Sequence, residues 1–373
     1  FSPFEPGYFG QKEFWHLIYV VDDHEINVEL LAELLGQKGY SVRTFTDALE
    51  AWEETQIAPP DLLLLDVMMP GLDGITFCRR VKQELAAAFI PVILITALGE
   101  KEVRAAGLEA GADDFISKPF DQMELLIKVR NYLHGKALYD QLQTSLNQAK
   151  RQLTLAAEVQ KSLFVPSLQI VQDLGAELLY YPSGYLSGDV VDLQPRQDGT
   201  LVFMADVSGH GVDAALLACS VKLLFSQISH STSCPQEILH LLNEATVDLL
   251  AENTAGYYVT AICAFINSDS LSVAAAGHPL ALVAASSEIV EFGDAGLPLG
   301  IYSNQTYPLA KRDRIGLDWV LFYTDGLAQT MDLRQLHSTN LQSWLVRTKQ
   351  VIRQLAAADG LQDDVTAVVV SSN

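Results

Sequence analysis

The sequence predicts an α/β unit with a five-stranded, parallel, doubly wound sheet, then a long connecting helix, then an α+β unit of stacked antiparallel sheets flanked by helices. Three observations support this prediction. Residues 16–133 alternate short apolar runs with amphipathic stretches, as βα repeats do. Residues 121–163 contain no proline, and the later part of the chain groups strand-like and helix-like stretches in separate blocks. The 373 residues suffice for two or three domains with cores of their own.

The first unit is expected over residues 16–135. Helices are predicted at Glu25–Gln37, whose apolar residues recur at helical spacing, and at Ile75–Leu85. Strands are predicted at five short apolar runs: Leu17–Val21, Ser41–Phe45, Leu62–Leu65, Val92–Ile95 and Asp114–Ile116. In such a sheet the functional site lies outside the carboxyl ends of the strands.

Polar side chains fall at these strand ends, and they predict phosphoryl chemistry. The five residues are Asp22, Asp23, Asp66, Thr96 and Lys118. Because neighbouring carboxylates repel each other, the three aspartates predict a site for one divalent cation. The threonine is placed to hydrogen-bond an incoming phosphoryl oxygen, and the lysine to pair with it. Pro119, directly after the lysine, is expected to follow a cis peptide bond.

A helical linker is expected over residues 136–166, where Pro166 ends the helix. Apolar residues at three-, four- and seven-residue steps form a loose seam: Leu138, Leu142, Leu146, Leu153, Ala157 and Leu163. Two interpretations stay open. The helix either pairs with a second copy of the chain in a dimeric coiled coil, or it packs on its own domain.

The second unit is expected over residues 167–373. Helices are predicted at Asp213–Ser229, Gln236–Ala251 and Asn340–Ala357. Strands are predicted at five apolar runs: Leu201–Ala205, Tyr258–Ile266, Leu280–Ala284, Trp319–Tyr323 and Val365–Val370.

Carboxylates lie beside glycines or strand ends in this second unit as well: Asp189, Asp206, Asp325, Asp363 and Asp364. Glycines such as Gly209 and Gly326 let the backbone and a ligand approach closely. Four separated strand ends that each deliver a carboxylate predict a two-metal, oxygen-ligand site for Mg²⁺ or Mn²⁺. Such a pair of ions activates a water for in-line attack at phosphorus. The adjacent pair at 363 and 364 cannot be separated by this reasoning.

Four motifs contain the strand-end residues of the first unit: Val20-Val21-Asp22-Asp23, Leu65-Asp66-Val67-Met68-Met69-Pro70-Gly71-Leu72-Asp73-Gly74, Thr96-Ala97 and Ser117-Lys118-Pro119-Phe120. With this set, the first unit resembles the receiver domain of bacterial two-component response regulators, and the resemblance covers residues 16–135. It implies that a sensor histidine kinase phosphorylates Asp66 and that Mg²⁺ binds at Asp22, Asp23 and Asp66. It also implies that Thr96, Phe115 and Lys118 couple phosphorylation to a change of the domain surface.

The carboxylates of the second unit lie in motifs that include Ser187-Gly188-Asp189, Ala205-Asp206-Val207-Ser208-Gly209-His210-Gly211, Tyr323-Thr324-Asp325-Gly326 and Asp363-Asp364-Val365-Thr366. With these motifs, residues 158–373 resemble the type 2C (PPM) serine/threonine phosphatases of the bacterial sporulation and stress-response branch. The resemblance implies two Mn²⁺ or Mg²⁺ ions held by carboxylates and by one backbone carbonyl: Asp189, Asp206, Val207, Asp325 and Asp364, with Asp363 as the alternative to Asp364.

Three departures from the branch affect local geometry rather than the metal ligands. Ser187 stands where glycine is usual, Val190-Val191 replace aromatic residues, and Gln329 replaces a common glutamate. His210 is either a catalytic acid or a helix N-terminal hydrogen-bonding residue. His278 is expected to be a turn residue.

The order of the parts implies a switch in which phosphorylation of Asp66 acts through helix 121–165 on the metal site. Residues 158–163 resemble the branch's regulatory helix. The resemblance implies a phosphoserine or phosphothreonine protein as substrate, such as an anti-sigma-factor antagonist. The alternative is a catalytically inactive adaptor that binds a sigma-factor regulator, which the retained aspartates disfavour. The motif set disfavours a nucleotide cyclase.

The composition argues against several other functions. The formal net charge of −22 at pH 7 disfavours binding to nucleic acid or to an anionic membrane. No apolar run approaches the roughly 18–20 residues of a membrane-spanning helix. Residues 1–15 are expected to be an N-terminal extension without a signal peptide. The cysteines show no CxxC spacing and are expected to be buried free thiols in a cytoplasmic protein: Cys78, Cys219, Cys234 and Cys263.

Overall fold

The computed structural model describes residues 16–97, 101–166, 170–171, 175–251, 256–286, 288–337, 340–358 and 360–371. The chain divides into two compact units between Gln148 and Ala149. The expected extension at residues 1–15 lies outside the described residues. No helix in the described ranges combines the length and the apolar composition that a membrane span requires.

The first unit is a five-stranded parallel sheet with the order β2-β1-β3-β4-β5. Its strands are β1 (Leu17–Val21), β2 (Ser41–Phe45), β3 (Leu62–Asp66), β4 (Val92–Ala97) and β5 (Asp114–Lys118). Its helices are α1 (Glu25–Gly36), α2 (Ala48–Ile57), α3 (Gly74–Glu84), α4 (Lys101–Glu109) and α5 (Gln122–Phe164). This is the predicted fold, and every predicted strand of this unit is found.

Side chains on both faces of this sheet are buried. Leu62 and Leu64 pack with α1 and the start of α5, whereas Leu63 and Leu65 pack with α2 and α3. A strand covered on both faces needs a continuous apolar run, which is why β3 reads as four consecutive leucines before Asp66.

Helix α5 is a single helix of 43 residues. Leu125, Val129 and Leu133 of its first third pack on the sheet of the first unit. Farther along, the seam residues Leu142 and Leu163 are 65% and 47% exposed. The helix ends at Phe164, next to Pro166, as the sequence predicts.

The second unit stacks two sheets between helices. One has the order β13-β10-β9-β8-β7, with β14 on β10, and the other has the order β12-β11-β15-β16-β6. All neighbouring strands are antiparallel except β10 and β13. Val202 and Met204 face the second sheet, whereas Leu201 and Phe203 face α6 and α7. Trp344 of α9 covers the outer face of the second sheet. The predicted α+β architecture is therefore confirmed.

The strands of the second unit are β6 (Ala176–Tyr181), β7 (Asp189–Arg196), β8 (Gly199–Val207), β9 (Val259–Ile266), β10 (Ser270–Ala276), β11 (Ala281–Ala285), β12 (Glu288–Phe292), β13 (Ala295–Gly296), β14 (Ala310–Asp313), β15 (Leu317–Tyr323) and β16 (Val365–Ser371). The helices are α6 (Val212–Ile228), α7 (Pro235–Leu250), α8 (Asp325–Thr330) and α9 (Leu341–Ala357).

Sequence reasoning did not predict six of these strands: β6, β7, β10, β12, β13 and β14. Strand β10 is rich in alanine, which has low strand propensity, and tertiary burial overrides that preference. Strand β7 contains Pro195, which is tolerated because β7 lies at the edge of its sheet. All four cysteines are free, and Cys78 and Cys263 are buried while the other two are partly exposed.

Candidate functional sites

The first site forms where three strands of the parallel sheet end. Strands β1 and β3 are neighbours, so Asp22 and Asp66 emerge at the same edge. Lys118, the last residue of β5, joins them: its Nζ lies 2.8 Å from Asp22 Oδ2 and 2.6 Å from Asp66 Oδ1. The fold thus brings together residues that are up to 96 positions apart in the chain. The Lys118–Pro119 peptide bond is cis, as predicted.

Asp22 is fully buried, and neighbouring residues fix its carboxylate. The Asn27 side chain donates to both carboxylate oxygens, at 3.1 and 3.0 Å, and the His24 backbone N–H donates at 3.0 Å. His24 Nδ1 lies 2.9 Å from Asp23 Oδ1. Asp22, Asp23 and His24 form a group whose potential ligand atoms all lie within 4.8 Å of one another. Sequence reasoning missed His24 and Asn27, although both lie within five residues of Asp22.

Burial and neighbouring charges act in opposite directions on the pKa values of Asp66 and Lys118 at this site. Burial raises the pKa of Asp66, Lys118 lowers it, and the charges of Asp22 and Asp23 raise it again, so that the pKa lies above its usual value. Burial acts to lower the pKa of Lys118, but its hydrogen bonds to Asp22 and Asp66 outweigh burial and raise that pKa. A site with one lysine for three carboxylates fits a divalent cation with oxygen ligands.

The loop after β3 is held close to Asp66. A Cβ atom on Gly74 would lie 2.1 Å from the Asp66 carbonyl oxygen, so only glycine fits there. Asp73 caps α3 by accepting from the Thr76 backbone N–H at 2.9 Å. The packing of α3 against the strand end therefore requires Gly74, and the capping of α3 explains Asp73.

Thr96 and Phe115 are both buried. Thr96 follows Ile95, the neighbour of Asp66 in β4, and its hydroxyl is 3.5 Å from the Ala97 carbonyl oxygen. The Arg104 guanidinium lies 5.6 Å from the centroid of the Phe115 ring. The structure thus places Thr96 at the carboxyl edge of the sheet and Phe115 two register positions below it.

The second site gathers carboxylates from both sheets of the second unit. Asp189 begins β7 and Asp206 lies near the end of β8, and the two are directly paired across the ladder. Asp325 begins α8, and Asp363 and Asp364 precede β16. Thr324 links the sheets, because its hydroxyl donates to Asp189 Oδ2 at 2.9 Å while its backbone N–H donates to the Thr366 carbonyl.

The neighbouring residues Asp363 and Asp364 differ in their surroundings. Asp364 is buried and accepts four hydrogen bonds: from the Ser183 N–H and hydroxyl at 2.7 and 2.9 Å, from the Ser187 hydroxyl at 2.8 Å and from the Gly188 N–H at 2.7 Å. Asp363 accepts from the Asp364 backbone N–H at 2.8 Å. The carboxylate of Asp364 is therefore occupied by protein donors.

Three aspartates of this site, Asp189, Asp206 and Asp363, have raised pKa values. Burial, and then the charges of Asp206 and Asp364, raise the pKa of Asp189 well above its ordinary value. Burial, and then Asp325, Asp363 and Asp364, raise the pKa of Asp206 to about 7. Burial also raises the pKa of Asp363.

Among the described residues, no lysine, arginine or histidine forms an ion pair with any of these carboxylates. Buried carboxylates without a cationic partner are costly, since each must stay charged, bind a metal or take up a proton. The donor set is entirely oxygen, which is the set that Mg²⁺ and Mn²⁺ prefer. The residues therefore fit hard divalent cations.

Glycines allow the close approach that this site needs. A Cβ atom on Gly326 would lie 2.0 Å from the Asp364 carbonyl oxygen, and one on Gly188 would lie 3.3 Å from the Val207 carbonyl oxygen. Gly209 has a φ of +94°, which favours glycine. With alanine at position 326, α8 could not pack as closely against the Asp364 backbone.

Neither of the two histidines noted in the sequence, His210 and His278, forms an ion pair with these carboxylates. His210 is exposed and lines a cavity of about 400 Å³ together with Leu153, Tyr185, Val212, Leu361 and Asp364. His278 is buried in a bend, with its Nδ1 3.0 Å from the Thr260 hydroxyl. Burial lowers the pKa of His278 to about 3, so its ring is neutral at physiological pH.

Comparison with known proteins assigns each unit. The family description "Response regulator receiver domain" matches residues 18–130, and "Stage II sporulation protein E (SpoIIE)" matches residues 196–373. Response regulator PleD of Caulobacter vibrioides is 46% identical over 125 residues, which are 34% of this chain and 28% of PleD. The chain thus spans little more than a quarter of the length of that relative.

Two further comparisons cover more of the molecule. The alkaline phosphatase synthesis transcriptional regulatory protein PhoP of Bacillus subtilis is 30% identical over 204 residues, which are 55% of this chain and 78% of PhoP. The solved SiaA-PP2C domain of Pseudomonas aeruginosa matches with a TM-score of 0.52 and 19% identity, and covers 61% of this chain and 99% of that structure. The latter likeness shows the fold alone.

The first unit therefore has a receiver-type fold and the second a PP2C-type fold, and each carries a cluster of carboxylates. The chain belongs to the response-regulator family, and its C-terminal domain is a SpoIIE domain of the PPM phosphatase type.

Proposed function

We propose that the protein is a response regulator in which phosphorylation of Asp66 controls a metal-dependent serine/threonine phosphatase. The observation that carries this proposal is the second site, where carboxylates of both sheets come together, burial and neighbouring acids raise the pKa values of Asp189 and Asp206, and no described cationic side chain pairs with them. An adaptor without catalysis would gain nothing from this repulsion. A metal-dependent phosphatase accounts for the clustered acids, because bound cations would relieve the repulsion between the carboxylates.

At the receiver site, Asp66 is the proposed phosphoacceptor and a sensor histidine kinase the proposed phosphodonor. Asp22, Asp23 and Asp66 would hold Mg²⁺, which shields negative charge as a phosphoryl group approaches. Lys118 already contacts Asp66 and is placed to pair with the phosphoryl group. Thr96 and Phe115, both buried near the carboxyl edge, would transmit the change to the domain surface.

At the phosphatase site, we assign two Mn²⁺ or Mg²⁺ ions to Asp189, Asp206, the Val207 carbonyl, Asp325 and Asp363. The ions would activate a water for attack at phosphorus. We prefer Asp363 to the predicted Asp364, because four protein donors occupy the Asp364 carboxylate. Asp364 then orients the Ser187–Gly188 turn, and Gly209 and Gly326 permit the close packing of the surrounding segments.

The substrate we propose is a cytoplasmic phosphoserine or phosphothreonine protein, such as an anti-sigma-factor antagonist. The protein would act as a homodimer through α5. The exposed seam residues support dimerisation, because Leu138, Leu142 and Leu146 lie on consecutive turns and are each at least 45% exposed.

The decisive experiment measures hydrolysis of a phosphoserine peptide with Mn²⁺ or Mg²⁺, with and without beryllofluoride. Asp206→Ala is expected to abolish turnover. Asp248→Ala, which removes an exposed acid of α7, is the matched control and should leave turnover unchanged. Absence of turnover from the folded, metal-loaded protein in every state would refute catalysis and favour the adaptor.

A further inference from the structure

Helix α5 carries one buried amide in an otherwise exposed stretch. Gln160 is 5% exposed, whereas Glu158, Val159 and Lys161 beside it are exposed. Its Nε2 donates to the Ser187 carbonyl at 2.8 Å, and its Oε1 accepts from the Ser187 backbone N–H at 2.9 Å. The Gln160 side chain therefore hydrogen-bonds both the backbone N–H and the backbone carbonyl of Ser187.

Ser187 connects Gln160 to the carboxylate cluster through two further hydrogen bonds. Its hydroxyl donates to Asp364 Oδ2 at 2.8 Å and accepts from the Asp189 backbone N–H at 3.1 Å. The next residue, Gly188, donates its N–H to the same Asp364 oxygen at 2.7 Å. Gln160 is thus separated from Asp189 and Asp364 by one residue, Ser187.

The chemistry of this contact is specific to glutamine. Burying an amide is unfavourable unless its donor and its acceptor are both satisfied, and here both are. Glutamate at this position would offer acceptors only and would face the Ser187 carbonyl oxygen. Methionine has similar length and would fill the space without either hydrogen bond. The position therefore allows the contact to be broken without a large cavity.

Helix α5 also runs from the receiver unit into the phosphatase unit, since it begins at Gln122 and ends at Phe164. Because N–H···O hydrogen bonds require donor–acceptor distances of about 2.7–3.2 Å, a rotation or shift of α5 would separate the Gln160 amide from Ser187. The same contact that orders the catalytic turn is thus the contact that a movement of the linker would break.

We propose that Gln160 is a positioning residue: its amide orders the Ser187–Asp189 turn for metal binding and couples that turn to α5. This inference rests on the proposed phosphatase function and adds the residue through which the linker reaches the site. Residues that orient metal ligands typically change metal affinity or activity by about 10- to 100-fold when replaced.

The test compares Gln160→Met and Gln160→Glu with the matched control Gln152→Met, which alters an exposed glutamine two turns earlier in the same helix. Amide hydrogen exchange of residues 183–189 is measured in the metal-free protein, and Mn²⁺ affinity is measured by calorimetry. We expect faster exchange in this segment and about 10- to 100-fold weaker Mn²⁺ binding or lower kcat in both Gln160 variants. The beryllofluoride response should be lost, and the control should behave like the parent.

Parent-like exchange and Mn²⁺ affinity in Gln160→Met would overturn the positioning role. A full beryllofluoride response in that variant would overturn the coupling. If the parent itself shows no phosphatase activity, the proposed function fails, yet exchange and metal affinity still test whether Gln160 orders the turn.

Discussion

At the scale of single residues, surroundings decide what chemically identical side chains do. Asp363 and Asp364 are adjacent, yet one accepts a single backbone hydrogen bond and the other accepts four from Ser183, Ser187 and Gly188. A carboxylate whose lone pairs are filled by protein donors organises its neighbours. A carboxylate left facing other acids is available to a cation.

The Asp363 and Asp364 assignment predicts opposite effects of two conservative changes. Asp364→Asn should destabilise the metal-free protein by about 1–3 kcal/mol, because its amide would face donors from Ser187 and Gly188. Asp363→Asn should leave stability unchanged or higher but weaken Mn²⁺ binding. Thermal unfolding and calorimetric titration of both variants measure this. Weaker Mn²⁺ binding in Asp364→Asn alone would reverse the assignment.

The raised pKa of Asp206 predicts a pH-dependent stability. The folded, metal-free protein holds the Asp206 proton up to about pH 7, whereas the ordinary pKa is 3.8. Stability from this group is therefore fully present below about pH 4 and is lost as pH rises through about 7. We expect a lower Tm at pH 8 than at pH 5 in the metal-free protein, with a smaller difference in Asp206→Asn.

Metal should reverse this trend, because it binds the deprotonated carboxylates. At a free Mn²⁺ concentration of 100 times Kd, binding contributes about 2.7 kcal/mol of stability. A Tm that is independent of pH in the metal-free protein would contradict the electrostatic description of the cluster.

At the scale of elements, glycines set how closely helices approach the strand ends. Gly74 begins α3 beside the Asp66 carbonyl, and Gly326 is the second residue of α8 beside the Asp364 carbonyl. Both sites thus place a helix start directly against the backbone of a key aspartate. The Asp-Gly pairs in the two motifs have this common steric cause.

Gly326→Ala tests this packing. The added Cβ would lie 2.0 Å from the Asp364 carbonyl oxygen, so we expect a loss of about 1–3 kcal/mol or more from overpacking. Gly135→Ala, in α5, is the control, because an added Cβ atom there would have no neighbour within 4 Å. This change should stabilise the helix by up to about 1 kcal/mol. Calorimetric unfolding measures both. Equal effects of the two changes would exclude the steric explanation.

The seam of α5 predicts an oligomeric state. If α5 pairs as a coiled coil, Leu142→Lys together with Leu146→Lys should convert a dimer into a monomer, because charge would replace exposed apolar contacts. Light scattering after size exclusion measures the mass. Leu30→Lys, at an exposed leucine of α1, is the control and should leave the mass unchanged. A parent protein that is already monomeric would contradict the proposed dimer.

At the scale of the whole molecule, two chemically distinct acidic sites lie on one chain. Lys118 partly balances the charge of the first site, and the second site has no comparable cationic partner among the described residues. Helix α5 is the covalent element that begins in the first unit and ends in the second. In the proposed function, α5 is therefore the covalent route by which a change at Asp66 would reach the second site.

Replacing the proposed phosphoacceptor, Asp66, should separate control from catalysis. Asp66→Asn is expected to retain Mn²⁺-dependent turnover at the unphosphorylated level and to lose the response to beryllofluoride, because the anion then has no aspartate to join. Steady-state kinetics with and without the anion measure this. An unchanged response in Asp66→Asn would place the control outside the receiver.

The sequence alone determined the two-unit architecture and the strands of the first sheet, and it predicted which aspartates come together. These are local signals: a doubly covered strand needs an apolar run such as Leu62–Leu65, and a strand-end acid such as Asp66 follows it directly. Their recognition needs no knowledge of distant contacts. Helix α5 could also be predicted from the sequence, because the segment contains no proline before Pro166.

Only the tertiary structure showed that protein donors fill the Asp364 carboxylate rather than that of Asp363. It also showed that Gln160 is buried and that strands such as β10 and β14 form. Each depends on partners far away in the chain: Ser183 and Asp364 are 181 residues apart, and Gln160 and Ser187 are 27 apart. Local patterns carry no record of such pairings, because hydrogen bonding and burial depend on which segments the fold brings together.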